Sequence, residues 1–341
     1  MVLLGAAVAC AVVTALTPTL ARYARTRGLL DVPNDRSLHS VSTPRIGGIA
    51  MIAAINVAFF VCWAAGAEPG FPVTALIVLA TAVGILGFVD DVRSLSAPLR
   101  LSIQAVIAAV TVMILGETIV PWLPSALAVV MTTVWLVSLT NAFNFMDGID
   151  GIAAAQAIVA GLLWAAIGVM AGWRDTTLLG ALVAAASAGF LLHNWQPARV
   201  FMGDAGSGYF GFLFAALPLT VPHDTGRAWA YALLIMWPFL FDTGFTLLRR
   251  LRRGENVFSA HRSHLYQRLT LTGMSHARVV LIYVVLALLG AIAALLLALG
   301  QRAAATLSFG AISLAAVCLW RATTSREAVR AASIGNTWKL G

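Results

Sequence analysis

The stretch Asn141–Gly151, "NAFNFMDGIDG", places two aspartates and two asparagines between two long apolar runs, residues 125–141 and 151–172. A carboxylate in a hydrocarbon environment is costly and is kept where it faces water, a cation or a substrate. Asp147 and Asp150 therefore indicate that this stretch lies at the edge of a membrane, beside a polar partner.

The composition of the whole chain supports a membrane location. Of its 341 residues, 60% are hydrophobic and 11% are charged, whereas soluble domains carry about 25% charged residues. We predict an all-α polytopic membrane protein in one domain, residues 1–341, with about eleven spans, that is, ten or eleven. The predicted spans are residues 2–21, 46–66, 71–89, 101–116, 125–141, 151–172, 176–193, 207–222, 228–247, 278–299 and 304–320.

The basic residues predict the orientation. With the loops numbered alternately, all of the 22 Lys and Arg residues except Arg174, Arg227 and Arg302 lie on one side. Because basic residues favour the cytoplasmic side of a plasma membrane, we expect the N-terminus outside and the tail, residues 321–341, in the cytoplasm and flexible. The same bias explains the net charge of +8, and no nucleic-acid-binding surface is predicted.

Five acidic residues lie at the predicted cytoplasmic edge of these spans. They are Asp90, Asp91, Asp147, Asp150 and Asp204. Carboxylate oxygens open to water suit Mg²⁺ or, alternatively, Mn²⁺. Mg²⁺ commonly takes one or two carboxylates and completes its coordination shell with substrate phosphates. The pattern predicts such a cation.

Other residues in the same loops are suited to phosphates. "MGDAGSG", residues 202–208, opens a helix with free backbone N–H groups, and Arg45 lies in "PRIGG" before another helix. "AHRSHLYQR" adds His261, Arg262 and His264, which can contact a diphosphate. Together with the carboxylates, these groups indicate phosphoryl transfer from a nucleotide-type donor to a lipid acceptor.

Each motif alone also has a structural interpretation. The aspartate pair can cap a helix, "DGIDG" can form a turn, and the glycine-rich segment can be an ordinary helix start. We interpret Asp31 as a loop cap, His276 as structural, and most of the arginines in 249–253 as anchors beside acidic lipid head groups. Asp242, inside an apolar span, is costly to bury and is given no role.

Five motifs in order resemble the polyprenyl-phosphate N-acetylhexosamine-1-phosphate transferases. They are "DVPNDRSLH" with "PRIGG", the aspartate pair with a downstream basic residue and Gln104, "NAFNFMDGIDG", "FMGDAGSGYFGF" and the histidine loop, which together run from about Asp31 to Leu269. The resemblance implies a membrane enzyme that requires Mg²⁺. It would transfer an amino-sugar 1-phosphate from a UDP-amino sugar to undecaprenyl phosphate and release UMP, which begins a cell-envelope polysaccharide such as O-antigen, capsule or teichoic acid.

The resemblance also implies residue roles. Asp204 and Asp147 match metal ligands, and Asp147 is also a catalytic candidate. One of Asp90 and Asp91, with Asp90 favoured, is the base that keeps the lipid phosphate ionised or is a direct metal and phosphate contact. His261 and His264 belong to the catalytic set that handles the donor. The implied substrate-binding residues are Arg45, Arg100, Asn141, Asn144, Asp150, Gly206, Ser207 and Arg262.

This sequence departs from the family pattern at two places. Arg100 stands where lysine is common, and the two cations are not interchangeable. The late loop lacks the three-histidine run of the peptidoglycan translocase, so we expect N-acetylglucosamine or a related amino sugar rather than a muramyl-pentapeptide donor. The exact sugar, the glycan pathway, a one-step or two-step mechanism and a homodimer all stay open.

A transporter or lipid flippase is the alternative from another functional class. That function predicts charged residues near the bilayer midplane and helices broken there in repeated halves. The acids here cluster at one edge and the sequence contains no internal repeat, which favours the enzyme.

Overall fold

The structure is a computed structural model that describes residues 1–33, 38–221, 224–256, 259 and 261–337, with side chains described as far as residue 331. The helices are α1 (Val2–Arg27), α2 (Gly47–Ala64), α3 (Phe71–Arg93), α4 (Ala97–Leu115), α5 (Ser125–Met146), α6 (Ile152–Ala171), α7 (Arg174–Asn194), α8 (Gly203–Ala216), α9 (Thr225–Arg252), α10 (Leu265–Leu271), α11 (His276–Ala298) and α12 (Arg302–Thr337). A 3₁₀ helix, Leu217–Thr220, follows α8, and the short strands β1 (Leu30–Asp31) and β2 (Thr43–Pro44) precede α2.

Within the described ranges, ten helices are long and apolar enough to cross a membrane: α1 to α7, α9, α11 and α12. The predicted all-α polytopic fold is therefore confirmed. The chain is a multi-pass membrane protein in which each of these helices matches one predicted apolar run.

The one remaining predicted run, 207–222, corresponds to α8 and the 3₁₀ helix, and its last residue lies outside the described residues. The start of α8 lies beside Asp91 at the end of α3, where the backbone N–H of Asp204 donates to the Asp91 carboxylate. Just beyond its other end, the Thr225 hydroxyl donates to Glu117, which follows the far end of α4. The segment thus runs from one end of the bundle to the other. We call the end where α3 and α5 finish and α8 begins the site face.

Glycines let α8 approach its neighbours at backbone distance in the centre of the bundle. A Cβ added at Gly48 in α2 would lie 2.2 Å from the backbone nitrogen of Gly206 in α8. One added at Gly87 in α3 would lie 2.1 Å from the carbonyl oxygen of Asp204, and one at Gly211 would meet the α5 backbone. Close helix contacts of this kind are the usual way in which membrane helices pack. Because backbone cannot rotate away, these contacts fix where α8 begins.

The two short strands were not predicted, and they position the loop before α2. β1 pairs antiparallel with β2, with Leu30 opposite Pro44. The next residue, Arg45, forms an isolated bridge with Phe201, whose N–H donates to the Pro44 carbonyl. This pairing brings the arginine of "PRIGG" to the start of α8.

The last helix is longer than the bilayer requires. α12 has 36 residues, about 54 Å at 1.5 Å per residue, against a hydrocarbon thickness of about 30 Å. The predicted flexible tail, residues 321–341, is helical as far as Thr337, and Arg268 in α10 forms a bidentate ion pair with Glu327 in α12. The helix therefore continues past the predicted span and contacts the site face.

We predict that Gly48→Ala destabilises the protein, because its methyl group would overlap the backbone of Gly206. Overpacking of this kind typically costs about 1–3 kcal/mol. Thermal unfolding of the purified protein in detergent measures the loss. The matched control is Gly310→Ala in α12, where a Cβ meets nothing within 4 Å. An unchanged unfolding temperature for Gly48→Ala would contradict the packing described.

Candidate active site

Two arginines and three aspartates form an ion network at the site face. The guanidinium of Arg45 contacts Asp91 at 2.8 Å and Asp204 at 2.6 Å. Arg100 contacts Asp90 at 2.7 Å and the second oxygen of Asp204 at 3.3 Å. Asp204 therefore lies between two guanidinium groups, and the network holds one more carboxylate than cation.

Asp91 also caps the N-terminus of α8. Its two oxygens accept hydrogen bonds from the backbone N–H groups of Asp204 and Ala205, both at 3.0 Å. A carboxylate at this position satisfies free donors and interacts favourably with the helix dipole. Asp91 thus holds Asp204 in place through the backbone of α8.

Asp90, the residue before Asp91 in α3, is also engaged by two donors. One of its oxygens accepts the Leu95 N–H at 2.7 Å and the other contacts Arg100 at 2.7 Å. The side chain is buried, and it does not line the cavity described below. The roles of base and direct metal contact predicted for the aspartate pair receive no support from this geometry.

The last turn of α5 and the residue that follows the helix bring polar side chains to Asp204. The Asn144 amide donates to Asp204 at 3.1 Å and to the Ser207 hydroxyl at 2.8 Å. Asp147 follows the last residue of α5 and is half-buried. Burial, reinforced by the negative charge of Asp204, raises the pKa of Asp147 to about 7. Two carboxylates that disfavour each other's charge are an environment that a cation would relieve.

Asp147 and Asp204 line a common cavity of about 160 Å³. Of the predicted site residues, it is lined by Arg45, Asn144, Asp147, Asp150 and Asp204. Four further polar residues, which were not among the predicted site residues, also line it: Asp31, His39, Asn194 and His276. A larger cavity, about 590 Å³, lies at the opposite end of the bundle and contains none of the predicted site residues. The chemistry therefore identifies the smaller cavity as the site.

Three predicted substrate-binding residues lie in helix packing and do not line this cavity. The Asn141 amide donates to Gln104 at 2.7 Å between α5 and α4. Gly206 contacts α2, and the Ser207 hydroxyl donates to the Gly203 carbonyl one turn earlier at 3.0 Å. In this structure the small residues of "GDAGSG" allow close helix packing, and the phosphate-cradle interpretation stays a prediction.

Asp150 lines the cavity but also connects three segments. Its carboxylate accepts the Ala198 N–H at 3.1 Å and lies 3.4 Å from Nδ1 of His276 at the start of α11. Its own N–H contacts the same ring nitrogen at 3.3 Å. This geometry supports a structural role for His276, while placing it at the wall of the cavity.

The histidine loop lies next to the end of α5. The His264 ring centroid is 6.2 Å from that of Phe145 and 5.0 Å from that of His261. Arg262, predicted to bind substrate, is exposed between them. The loop therefore lies beside the end of α5, close in the chain to Asp147.

Two of the arginines in 249–253 hold this loop. Arg249 donates to the Ser263 carbonyl at 2.7 Å, and Arg250 donates to the Asn256 carbonyl at 2.6 Å. The lipid-anchor interpretation of the run is therefore wrong for these two side chains, which fold back onto the protein.

The described donor set fits a hard divalent cation. Among the described residues, no group of three or more His, Cys, Asp or Glu side chains could hold a metal by itself. Asp147 and Asp204 nevertheless face one cavity, and Mg²⁺ is commonly bound by one or two carboxylates plus substrate phosphates. These two residues could hold the ion once a diphosphate supplies further oxygens.

Comparison with known proteins agrees with the motifs. Residues 73–221, from α3 to the 3₁₀ helix, match the family model described as glycosyl transferase family 4. A probable undecaprenyl-phosphate N-acetylglucosaminyl 1-phosphate transferase of Bacillus subtilis is 31% identical over 296 residues, which are 83% of this chain and 81% of the relative.

Two further relatives have the same type of name. The undecaprenyl-phosphate alpha-N-acetylglucosaminyl 1-phosphate transferase of Escherichia coli is 31% identical over 299 residues, covering 80% of this chain and 78% of that protein. A decaprenyl-phosphate N-acetylglucosaminephosphotransferase of Mycobacterium tuberculosis is 30% identical over 329 residues, covering 85% and 81%. The chain therefore belongs to glycosyl transferase family 4, as one of its polyprenyl-phosphate sugar-1-phosphate transferases.

Proposed function

We propose that this enzyme transfers N-acetylglucosamine 1-phosphate, or a related amino-sugar 1-phosphate, from a UDP-sugar to undecaprenyl phosphate. The observation that carries the proposal is the shared cavity of Asp147 and Asp204, flanked by Arg45, at one face of a membrane bundle. The names of the relatives point to the same acceptor and sugar. Family membership leaves no support for the transporter alternative.

The excess of basic residues at the site face supports a cytoplasmic active site in the plasma membrane. A UDP-sugar is charged and water-soluble, whereas the lipid phosphate lies at the bilayer surface, so both can reach this face. The product would begin a cell-envelope polysaccharide.

In the proposed reaction, an oxygen of the lipid phosphate attacks the β-phosphorus of the donor. The bond from that phosphorus to the bridging oxygen breaks, and UMP leaves with the oxygen. Bound Mg²⁺, held by Asp147 and Asp204, would supply positive charge to the diphosphate. Arg45 keeps Asp204 in place, and its fork can also bind a phosphate.

The geometry favours direct attack over an aspartyl intermediate. Both oxygens of Asp91 accept backbone N–H groups, and both oxygens of Asp90 are taken up by Leu95 and Arg100. A nucleophilic carboxylate needs a free oxygen that faces phosphorus. Neither Asp90 nor Asp91 lines the cavity that contains Asp147 and Asp204.

UMP release from the purified protein in detergent tests the function. We expect UMP only when undecaprenyl phosphate, Mg²⁺ and a UDP-amino sugar are all present, and none after EDTA. UDP-N-acetylglucosamine and its 4-epimer and 6-deoxy relatives form the donor panel, with the muramyl-pentapeptide donor as a comparison. Folded protein that releases no UMP from any donor would refute the proposal.

Asp204→Asn tests the metal assignment. We predict a loss of turnover of at least about a hundredfold, because one charged ligand is removed, while the unfolding temperature falls little. The control is Asp224→Asn, which removes a carboxylate whose ion pair with Arg227 is exposed. Full activity of Asp204→Asn at low Mg²⁺ would contradict a ligand role.

The charge state of His261 gives a pH-dependent prediction. Burial and the neighbouring charges of His264, Arg250 and Arg249 lower the pKa of His261 from 6.5 to about 4. The imidazole is therefore neutral at pH 7 and can accept a hydrogen bond. Between pH 6.5 and 4 the unfolded chain binds a proton that the folded chain does not, so folding is weakened as the pH falls.

We accordingly predict that His261→Gln loses less thermal stability than the wild type when the pH falls from 7 to 4.5. Unfolding temperatures of both proteins at the two pH values, in one detergent, give the comparison. Equal losses, or a larger loss in the variant, would show that the His261 pKa is not lowered.

A further inference from the structure

Asp242 in α9 is a fully buried carboxylate outside the cavity. Its exposed fraction is 0%, and an unpaired charge in such a place would cost several kcal/mol. Its position in an apolar span predicts a high cost of burial but no role. The structure shows what compensates its burial.

Five hydrogen-bond donors surround this carboxylate. They are the backbone N–H groups of Leu265 at 2.8 Å and Tyr266 at 3.0 Å, the hydroxyls of Thr246 at 3.2 Å and Tyr283, and Nδ1 of His264 at 3.2 Å. The two backbone groups can only donate. An ionised carboxylate that only accepts satisfies all five, and in this arrangement Nδ1 of His264 carries a proton. Nε2 is then the ring nitrogen left for a substrate.

The two backbone donors are the first residues of α10. Directly before them, the N–H of His264 donates to the Gln267 side chain at 3.3 Å. Three consecutive N–H groups at this helix start are thus satisfied by side chains. Asp242 does for α10 what Asp91 does for α8.

The helix that Asp242 caps is also attached to the loop of Asp147. The Tyr266 hydroxyl donates to the Phe145 carbonyl at 3.0 Å. A Cβ added at Gly148 would lie 2.1 Å from the same hydroxyl oxygen, so the residue after Asp147 is in close contact with α10. A shift of α10 would therefore disturb both His264 and the metal-binding loop.

We propose that Asp242 is a positioning residue of the transferase: it fixes α10, orients His264 with Nε2 free, and through Tyr266 steadies the loop that carries Asp147. The part that concerns catalysis rests on the proposed function. The structural part stands on the hydrogen bonds of α10 alone, and the two parts can be tested separately.

Hydrogen–deuterium exchange of Asp242→Asn tests the structural part without any substrate. We expect the amides of Leu265 and Tyr266 to exchange about tenfold faster or more. The asparagine offers only one neutral acceptor oxygen in place of the two charged oxygens that now accept these N–H groups. The amides of Asp204 and Ala205, capped by Asp91, should be unchanged. The control is Asp175→Asn, whose carboxylate accepts the Gly70 N–H at the opposite end of the bundle.

Steady-state kinetics of the same variants test the catalytic part. We expect Asp242→Asn to lower kcat about a hundredfold, as a small displacement of reacting groups does, with an unchanged KM for undecaprenyl phosphate. Asp175→Asn should keep wild-type kcat. In a double variant with His264→Ala, the combined loss should be much smaller than the product of the two single losses, because both act on one unit.

The exchange and kinetic results bear on the structural and the catalytic part separately. Unchanged exchange at Leu265 and Tyr266 would overturn the proposal, and so would fully multiplicative losses. A wild type that releases no UMP would refute the proposed function, while the exchange result would still decide whether Asp242 fixes α10. If Asp242→Asn does not fold, Tyr283→Phe removes one donor and keeps the charge. We expect an intermediate rise in exchange for Tyr283→Phe, and no rise would also overturn the proposal.

Discussion

The carboxylate of Asp91 accepts two of the free backbone N–H groups in the first turn of α8, and the geometry of the site depends on this cap. The N-terminus of a helix needs partners for its donors, and near hydrocarbon water is not a dependable source. With Asp91 in that position, Arg45 has a carboxylate to contact on each side of its guanidinium. Asp204 is consequently held at the edge of the cavity, where a carboxylate can contact a cation.

A carboxylate from a neighbouring long helix caps the start of a short helix at two places in the molecule. α8 and α10 are both shorter than the membrane-crossing helices, and each begins at a carboxylate provided by a long neighbour, Asp91 in α3 and Asp242 in α9. In both cases the capped helix presents a polar side chain, Asp204 or His264, close to the start of the helix. In both cases a long helix provides the carboxylate, and the helix that it caps begins beside a candidate site residue.

Hydropathy predicted the ten membrane-crossing helices of the described residues, since crossing a bilayer requires long apolar runs whatever the details of packing. The position of Asp147 and Asp204 at one face followed from the same reasoning. The packing of Gly206 and Ser207 did not, because a glycine-rich helix start has the same sequence whether it cradles a phosphate or contacts another backbone. Only the fold shows how close Gly206 lies to Gly48.

Other features depend on contacts that are distant in the chain. His39 and Asp31 line the cavity because the strand pairing of β1 and β2 folds their loop towards Phe201, and nothing local in the sequence encodes that approach. Asp242 was recognised as costly, but its partners lie between 4 and 41 residues further along the chain. A buried charge can be found from sequence, whereas the donors that compensate it need the fold.

The central claim is that Asp147 and Asp204 jointly hold the divalent cation that the donor diphosphate completes. The most direct test is a crystal structure of the protein with Mn²⁺ and a UDP-amino sugar, with the metal located by its anomalous scattering. The account predicts one peak within bonding distance of both carboxylates and of the diphosphate oxygens. A peak bound only by Asp90 and Asp91, or only by the donor, would contradict it.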